Sequence, residues 1–219
     1  MKKVIFILFT FISLSIYSQQ IKFEKALGKE NVETLNSLIE NFETKTLKNE
    51  YPNLKTESAY KEFLKDILKN NSVKGRKIFP ESTLKLNIYC VPDSIWIQKK
   101  DSSLKKKRDI VKTIYKCLNS KNEIVYSNSE SFSINKKITT LDLFEKAKED
   151  VQVNMGGTYI KALEEISNQS EIIKSYLENI KMTADPINSY SMSVYLLKNN
   201  IDLNDYFIKR LIFINMIYR

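Results

Sequence analysis

The spacing of hydrophobic residues along the chain changes from helical to strand-like and back again. Val32, Leu35, Leu38, Ile39, Phe42 and Leu47 recur three and four apart, the spacing of one face of a helix. Asn31 stands where a capping side chain belongs, and Tyr51-Pro52 closes the segment because the residue before a proline resists the α conformation. A second helix starts near Thr56 or Ser58 and gathers Ala59, Tyr60, Phe63, Leu64, Ile67 and Leu68 on one side. Neither stripe can bury itself alone, so the pair predicts an antiparallel helical hairpin over 31–70. Asn70 to Gly75 is a loop by composition.

The period then falls to two. Leu84, Leu86, Ile88 and Cys90 alternate with Lys85, Asn87 and Tyr89, which predicts a half-buried strand. Pro92-Asp93 is expected to turn the chain into a short strand over Ser94–Gln98. Asp109–Leu118 fits either period. Its β-formers Ile110, Val111, Thr113, Ile114 and Tyr115, followed by the turn residues Asn119 to Asn122, favour a strand over a helix. Glu123 to Asn128 returns as its partner, with Phe132 and Ile134 extending it. The middle third is therefore read as a small antiparallel sheet.

From Thr140 the helical period resumes. Leu141, Phe144, Ala147 and Val151 mark one helix, capped by Thr139 or Thr140 and broken at Asn154–Gly157. Tyr159, Ile160, Leu163 and Ile166 mark the next, and Ile172, Ile173, Tyr176, Leu177 and Ile180 a third. Asp185-Pro186 separates these from a shorter segment with Met192, Tyr195 and Leu196. Leu203 to about Tyr218 is apolar nearly all round, yet short and interrupted by Lys209 and Arg210. It reads as a central buried helix and not a membrane span. Helices at both ends of a small sheet define a mostly helical α+β fold, one domain over 19–219.

Residues 1–18 stand apart. Lys2 and Lys3 precede an apolar run from Val4 to Ile16, too short for a bilayer span and of signal-peptide length. Ser18 suits the position before a cut, while Ile16 leaves the small-x-small rule half met, which leaves the cut free to slip by one or two residues; an uncleaved N-terminal anchor is the competing reading. No cysteine follows the apolar core, which argues against a lipid anchor. The expectation is export to the periplasm or beyond, leaving no transmembrane span in the mature chain. The Met-Lys-Lys start, the Ile/Phe-rich core and Tyr17-Ser-Gln-Gln20 resemble leaders of exported proteins from Bacteroidota-type bacteria. The run Asn200 to Ile212 resembles uncharacterised exported proteins of that group, a resemblance that implies no activity.

Composition narrows the chemistry. The chain has 219 residues, 42% hydrophobic and 28% charged, a globular balance, with only 4 Gly and 4 Pro. The formal net charge is +9, and loss of Lys2 and Lys3 with the leader leaves +7. Such a surface attracts anionic lipid, acidic glycan or nucleic acid, nucleic acid being the least available of these outside the cytoplasm, and the plainer reading is lysine-rich codon usage on a solvated surface. Histidine is absent, which removes Ser-His-Asp and Cys-His catalysis and histidine-ligated zinc. Two cysteines cannot form a four-thiolate metal site, so neither a metal nor a cofactor is expected.

Cys90 and Cys117 are expected to bond in an oxidising compartment, with two buried thiols as the alternative. Lys99, Lys100, Lys105, Lys106, Lys107 and Arg108 concentrate charge in one loop, readable as an anion- or partner-binding patch or as a solvated hairpin. Trp96 and Tyr89 beside it offer a sugar-stacking platform, against the plainer reading of core aromatics. The acidic pairs Glu62/Asp66, Glu145/Glu149 and Glu164/Glu165 have the spacing of exposed helix faces, although two facing carboxylates are what glycoside hydrolysis needs. Gly156-Gly157 before a helix offers an anion a seat but lacks a phosphate-loop motif. The expectation is a non-enzymatic exported protein that binds a partner protein or an envelope component. A carboxylate-dependent envelope glycan hydrolase is the alternative.

Overall fold

The structure, a computed structural model, describes residues 17–74, 76, 79–98, 109–133, 142 and 150–218. It is a mostly helical α+β fold with a four-stranded antiparallel sheet in its middle third and helices before and after it. The leader core before residue 17 lies outside the described residues.

A helix over 17–27 (α1), not anticipated from spacing, buries Phe23 and Leu27. Gly28, at φ 88°, redirects the chain into α2, Lys29–Asn41. Asn31 is not the cap of α2. It is buried one turn inside, where its side-chain amide donates to Leu27 O at 3.0 Å and occupies a carbonyl at the end of α1. The rod continues through a π-turn, Phe42–Leu47, and ends at Tyr51 as the Tyr51-Pro52 step predicts. Helix α3, Thr56–Asn70, folds back so that Phe42 meets Phe63 and Tyr60 edge-on at 5.5 and 6.0 Å. The other flank of α3 packs on α7, Ser189–Lys198.

The largest departure from the expected pattern is Leu84–Ile88. These residues form a short helix, α4, Thr83–Ile88, whose start Ser82 caps by accepting from Lys85 N at 3.1 Å. Alternation misleads here because Leu84, Lys85, Leu86, Asn87 and Ile88 are all buried, the segment being enclosed on every side. The strand β1 begins only at Tyr89 and runs to Gln98. Pro92-Asp93 does not reverse the chain. It forms a bulge within β1, where the register against β2 shifts between Pro92 and Ser94.

Strands β2, Asp109–Leu118, and β3, Ile124–Ser133, form the expected hairpin. Asn119 accepts from Lys121 N and Glu123 N, and Asn122 takes a left-handed φ of 61°. Strand β4, Gln152–Val153, completes the order β3-β2-β1-β4. Val151 was expected in a helix but leads into this strand, while Leu141, Phe144 and Ala147 lie outside the described residues.

Helices α5, Thr158–Ser167, and α6, Glu171–Thr183, pack on each other, and α8, Tyr206–Ile212, carries on through a π-turn, Phe213–Ile217. Asp205 caps α8 by accepting from Phe207 N and Ile208 N. Phe207 through Ile217 is buried apart from Lys209, so this segment is the centre of the core. Its terminal carbonyls are taken by side chains: Tyr89 donates to Ile214 O at 2.6 Å and Arg76 to Met216 O at 3.1 Å. Among the described residues no helix is long and apolar enough to cross a membrane.

Candidate functional site

The sheet presents two unlike faces. On β2, Val111, Thr113, Tyr115 and Cys117 point one way and are buried, together with Ile95 of β1. The opposite face carries Trp96 and Ser94 of β1, Ile110, Lys112, Ile114 and Lys116 of β2, and Ile124, Tyr126, Asn128 and Glu130 of β3. Three large side chains there are open to solvent: Trp96 at 54%, Ile124 at 56% and Tyr126 at 62%.

Register ties them into one strip. Trp96 pairs with Lys112, Ile114 pairs with Asn128, and Lys116 pairs with Tyr126. Trp96, Ile114 and Tyr126 are thus successive diagonal neighbours, and the two ring-bearing residues stand roughly 17 Å apart from strand rise and strand spacing. Polar groups flank the strip. Lys112 bonds Glu130 at 2.8 Å, and Lys116 reaches Glu81 at 2.9 Å and Asp93, on the β1 bulge, at 3.7 Å. The Glu81 hydrogen bond outweighs the cost of partial burial and holds the Lys116 ammonium above the usual lysine range. Lys112 and Lys116 are both matched by carboxylates, so the described part of this face is polar and aromatic without unpaired lysines.

Among the sequence candidates, Lys99, Lys100, Lys105, Lys106, Lys107 and Arg108 lie outside the described residues. Trp96 is exposed on the open face, against the plainer expectation of a core aromatic. Tyr89 cannot share a platform with it, because its ring is buried and its hydroxyl donates to Ile214 O. The ring that does share the face is Tyr126. Spacing could have revealed it, since the pairing Leu118 to Ile124 across the Asn119 turn puts Tyr126 opposite Lys116. Cys90 and Cys117 face each other on β1 and β2 as a disulfide, with Cα atoms 4.4 Å apart, and pack against Tyr115.

The acidic pairs are occupied singly. Glu62 bonds Lys65, Asp66 accepts from Tyr51, and Glu164 bonds Lys181, while Glu145 and Glu149 lie outside the described residues. Gly156-Gly157 is no anion seat. Asn87 and Asn154 fill the space before α5, with Thr158 N donating to Asn87 Oδ1 and Gly156 N to Asn154 Oδ1.

Ser82 and Lys85 have the Ser-x-x-Lys spacing of serine–lysine acyl transferases, but their side chains have other partners. Ser82 Oγ caps α4 and lies 3.2 Å from Tyr218 Oη, whereas Lys85 Nζ bonds Phe79 O. Burial lowers the Lys85 pKa. The arrangement ties residues 79–82 onto α4.

Of the hollows between helices, one of about 240 Å³ between α6 and α7 is mainly apolar. Another, of about 280 Å³, lies beside Asn71, Arg76 and Asn188. Neither brings two carboxylates together. Among the described residues no cluster of His, Cys, Asp or Glu could hold a metal ion. Compared with known protein-family models, curated proteins and solved structures, the chain matches none.

Proposed function

We propose that this chain is an exported, non-enzymatic binding protein whose open sheet face takes a polysaccharide of the cell envelope. The observation that carries the reading is Trp96, an indole half open to water on a paired strand and aligned through Ile114 with Tyr126. Exposed aromatic rings on a rigid scaffold cost little ordering entropy on binding, and their flat faces suit the C–H faces of sugar rings. Ser94, Asn128 and the Lys112–Glu130 pair beside them supply donors and acceptors for hydroxyl groups. Because Lys112 and Lys116 already have carboxylate partners, a neutral glycan suits the face better than a phosphate-rich one.

Two features support export: the cationic, apolar leader and the Cys90–Cys117 disulfide, a bond that persists in oxidising compartments.

Trp96 is the sole tryptophan, so its fluorescence reports on this face alone. Titrating the protein with solubilised peptidoglycan and neutral envelope polysaccharides should shift the emission saturably. Tyr126→Ala should weaken that binding about tenfold, the usual effect of losing an aromatic anchor. Unchanged emission, with no co-sedimentation on insoluble envelope glycan, would refute the reading.

A further inference from the structure

Strand β3 is a terminal strand of the sheet, ten residues long, and nothing among the described residues pairs with its outer edge. Edge strands of this length are normally protected by lysine, proline, a bulge or a covering segment, because their unpaired amides and carbonyls recruit further strands. In Ile124–Ser133 there is no lysine and no proline, and Glu130 is the single charge. Its pairing with β2 is regular over all ten residues. Of residues 124 to 131, every side chain is exposed except the half-buried Ser129. Among the described residues the strand is therefore unpaired on its edge, and residues 124 to 131 are exposed along both faces apart from Ser129.

The hairpin turn fixes which backbone groups face outward. Asn119 N donates to Glu123 O at 2.9 Å, so the Asn119/Glu123 pair is hydrogen-bonded. Antiparallel ladders alternate hydrogen-bonded and non-hydrogen-bonded pairs. The amides and carbonyls of residues 125, 127, 129 and 131 consequently face β2. Those of Ile124, Tyr126, Asn128, Glu130 and Phe132 face away from it.

We infer that a second copy of this chain pairs along this edge, β3 against β3, about a two-fold axis through Asn128. The outward groups are self-complementary in that antiparallel register: Asn128 lies opposite Asn128, Tyr126 opposite Glu130, and Ile124 opposite Phe132. On the other face Ser127 falls opposite Ser129 and Val125 opposite Ser131. No like charges meet, the full strand is used, and the operation closes on itself as an isologous dimer should. The product is a continuous sheet of both copies' strands, with the two Trp96–Tyr126 strips on the same side. Pairing depends only on the edge and stands whether or not the face binds glycan. If both hold, the dimer doubles the strip and gains avidity for a polymeric ligand.

Sedimentation velocity on the intact mature protein across a wide concentration range tests the inference. The weight-average mass should climb toward twice the monomer value as concentration rises. Amide exchange at Tyr126, Asn128 and Glu130 should slow in step, while exchange at residues 125, 127 and 129 stays unchanged. Asn128→Pro removes an outward amide without touching the β2 ladder and should abolish dimerisation. If that variant misfolds, two charge variants give opposite readouts. Asn128→Lys places like charges on the axis and should weaken the dimer severalfold, whereas Tyr126→Lys sets lysine opposite Glu130 in both copies and should tighten it at low salt. A monomer at every concentration, or a dimer indifferent to Asn128→Pro in a folded variant, overturns the proposal. So does weakening by both lysine variants alike.

Discussion

Gly157 lies so close to the backbone of Asn87 that a Cβ on it would sit 2.0 Å from the Asn87 carbonyl oxygen and 2.7 Å from Asn154 Nδ2. Its dihedrals, φ −78° and ψ 164°, are open to any residue, so the requirement for glycine is one of space alone. Neither neighbour can yield cheaply, one being backbone and the other locked in hydrogen bonds. Gly157→Ala should therefore cost about 3 kcal/mol or more, at the upper end of overpacking penalties. Gly156→Ala is the internal control, since its Cβ would find Asn154 Oδ1 at an ordinary 3.8 Å. Urea midpoints of the two variants check this; equal midpoints would sink it.

Asn154 is the clamp that this close approach serves. Its amide donates to Leu86 O at 2.7 Å and Leu118 O at 2.6 Å, and its carbonyl accepts from Gly156 N at 3.1 Å. One side chain thereby joins the end of α4, the end of β2 and the start of α5. Asn154→Leu keeps the volume but strips a buried site of its donor, leaving two carbonyls dependent on other partners. The expected loss is about 2–4 kcal/mol, from roughly 1–3 kcal/mol for each unsatisfied buried group with partial relaxation. Thermal unfolding followed by circular dichroism measures it, and a variant as stable as the parent would show that the clamp is dispensable.

The residues of this clamp also mark where sequence reading stops. Helices with one polar face, such as Thr56–Asn70 and Glu171–Thr183, declare their period because solvent and core select different residues. The hairpin Asp109–Ser133 fits either period along its first strand, and it is the turn chemistry of Asn119 and Asn122, which needs no tertiary context, that decides it. Leu84–Ile88 gives no such contrast. Enclosed all round, it keeps Lys85 and Asn87 inside by local bonds to Phe79 O and Thr83 O, and its alternation of apolar and polar residues carries no information about faces. Asn154-Met-Gly-Gly157 reads locally as a break between two helices, but it links strand β4 to α5, and its contacts come from residues roughly 35 to 70 positions away. The open sheet face was half legible. Trp96 is conspicuous as the sole tryptophan, whereas its companion Tyr126 emerges only from the strand register.

The Cys90–Cys117 bond closes a loop of 27 residues around the β1–β2 connection. Restricting the unfolded chain to that extent is worth about 3–4 kcal/mol on the loop-entropy model. Replacing both cysteines by alanine should lower stability by about that amount, plus a smaller packing loss beside Tyr115. Denaturant titration of the parent, with and without reductant, should show the same drop. Coincident curves would mean that the bond contributes nothing to stability, and two reactive thiols in the unreduced, denatured protein would mean that it is absent.

Stability should be flat through neutral pH and fail steeply in alkali. With no histidine, no side chain has an ordinary pKa between those of the carboxylates and about 10 apart from cysteine, and both cysteines are bonded. Burial raises the pKa of Tyr51, Tyr60, Tyr115, Tyr159, Tyr206 and Tyr218; hydrogen bonds to Asp66, Glu43 and Glu24 push Tyr51, Tyr60 and Tyr206 further up. Each is a neutral acid whose folded-state pKa stands above its unfolded value near 10. As pH rises the unfolded chain ionises first. The stability these groups contribute is therefore whole below about pH 10 and drains away above it, by about 1.4 kcal/mol per pH unit for each tyrosine still protonated in the fold. Lys116, also raised, acts in the same direction. Lys85, lowered by burial, acts in the opposite one and offsets part of the loss. Urea midpoints from about pH 6 to 9 should superimpose and then fall sharply, with tyrosinate absorbance from the buried rings appearing only on unfolding. Tyr60→Phe, which removes the hydroxyl that donates to Glu43 at 3.1 Å, should make the alkaline slope shallower by one proton's worth. A midpoint that holds steady through pH 11, or an alkaline slope that Tyr60→Phe leaves unaltered, would show that these buried phenols do not govern the alkaline limit.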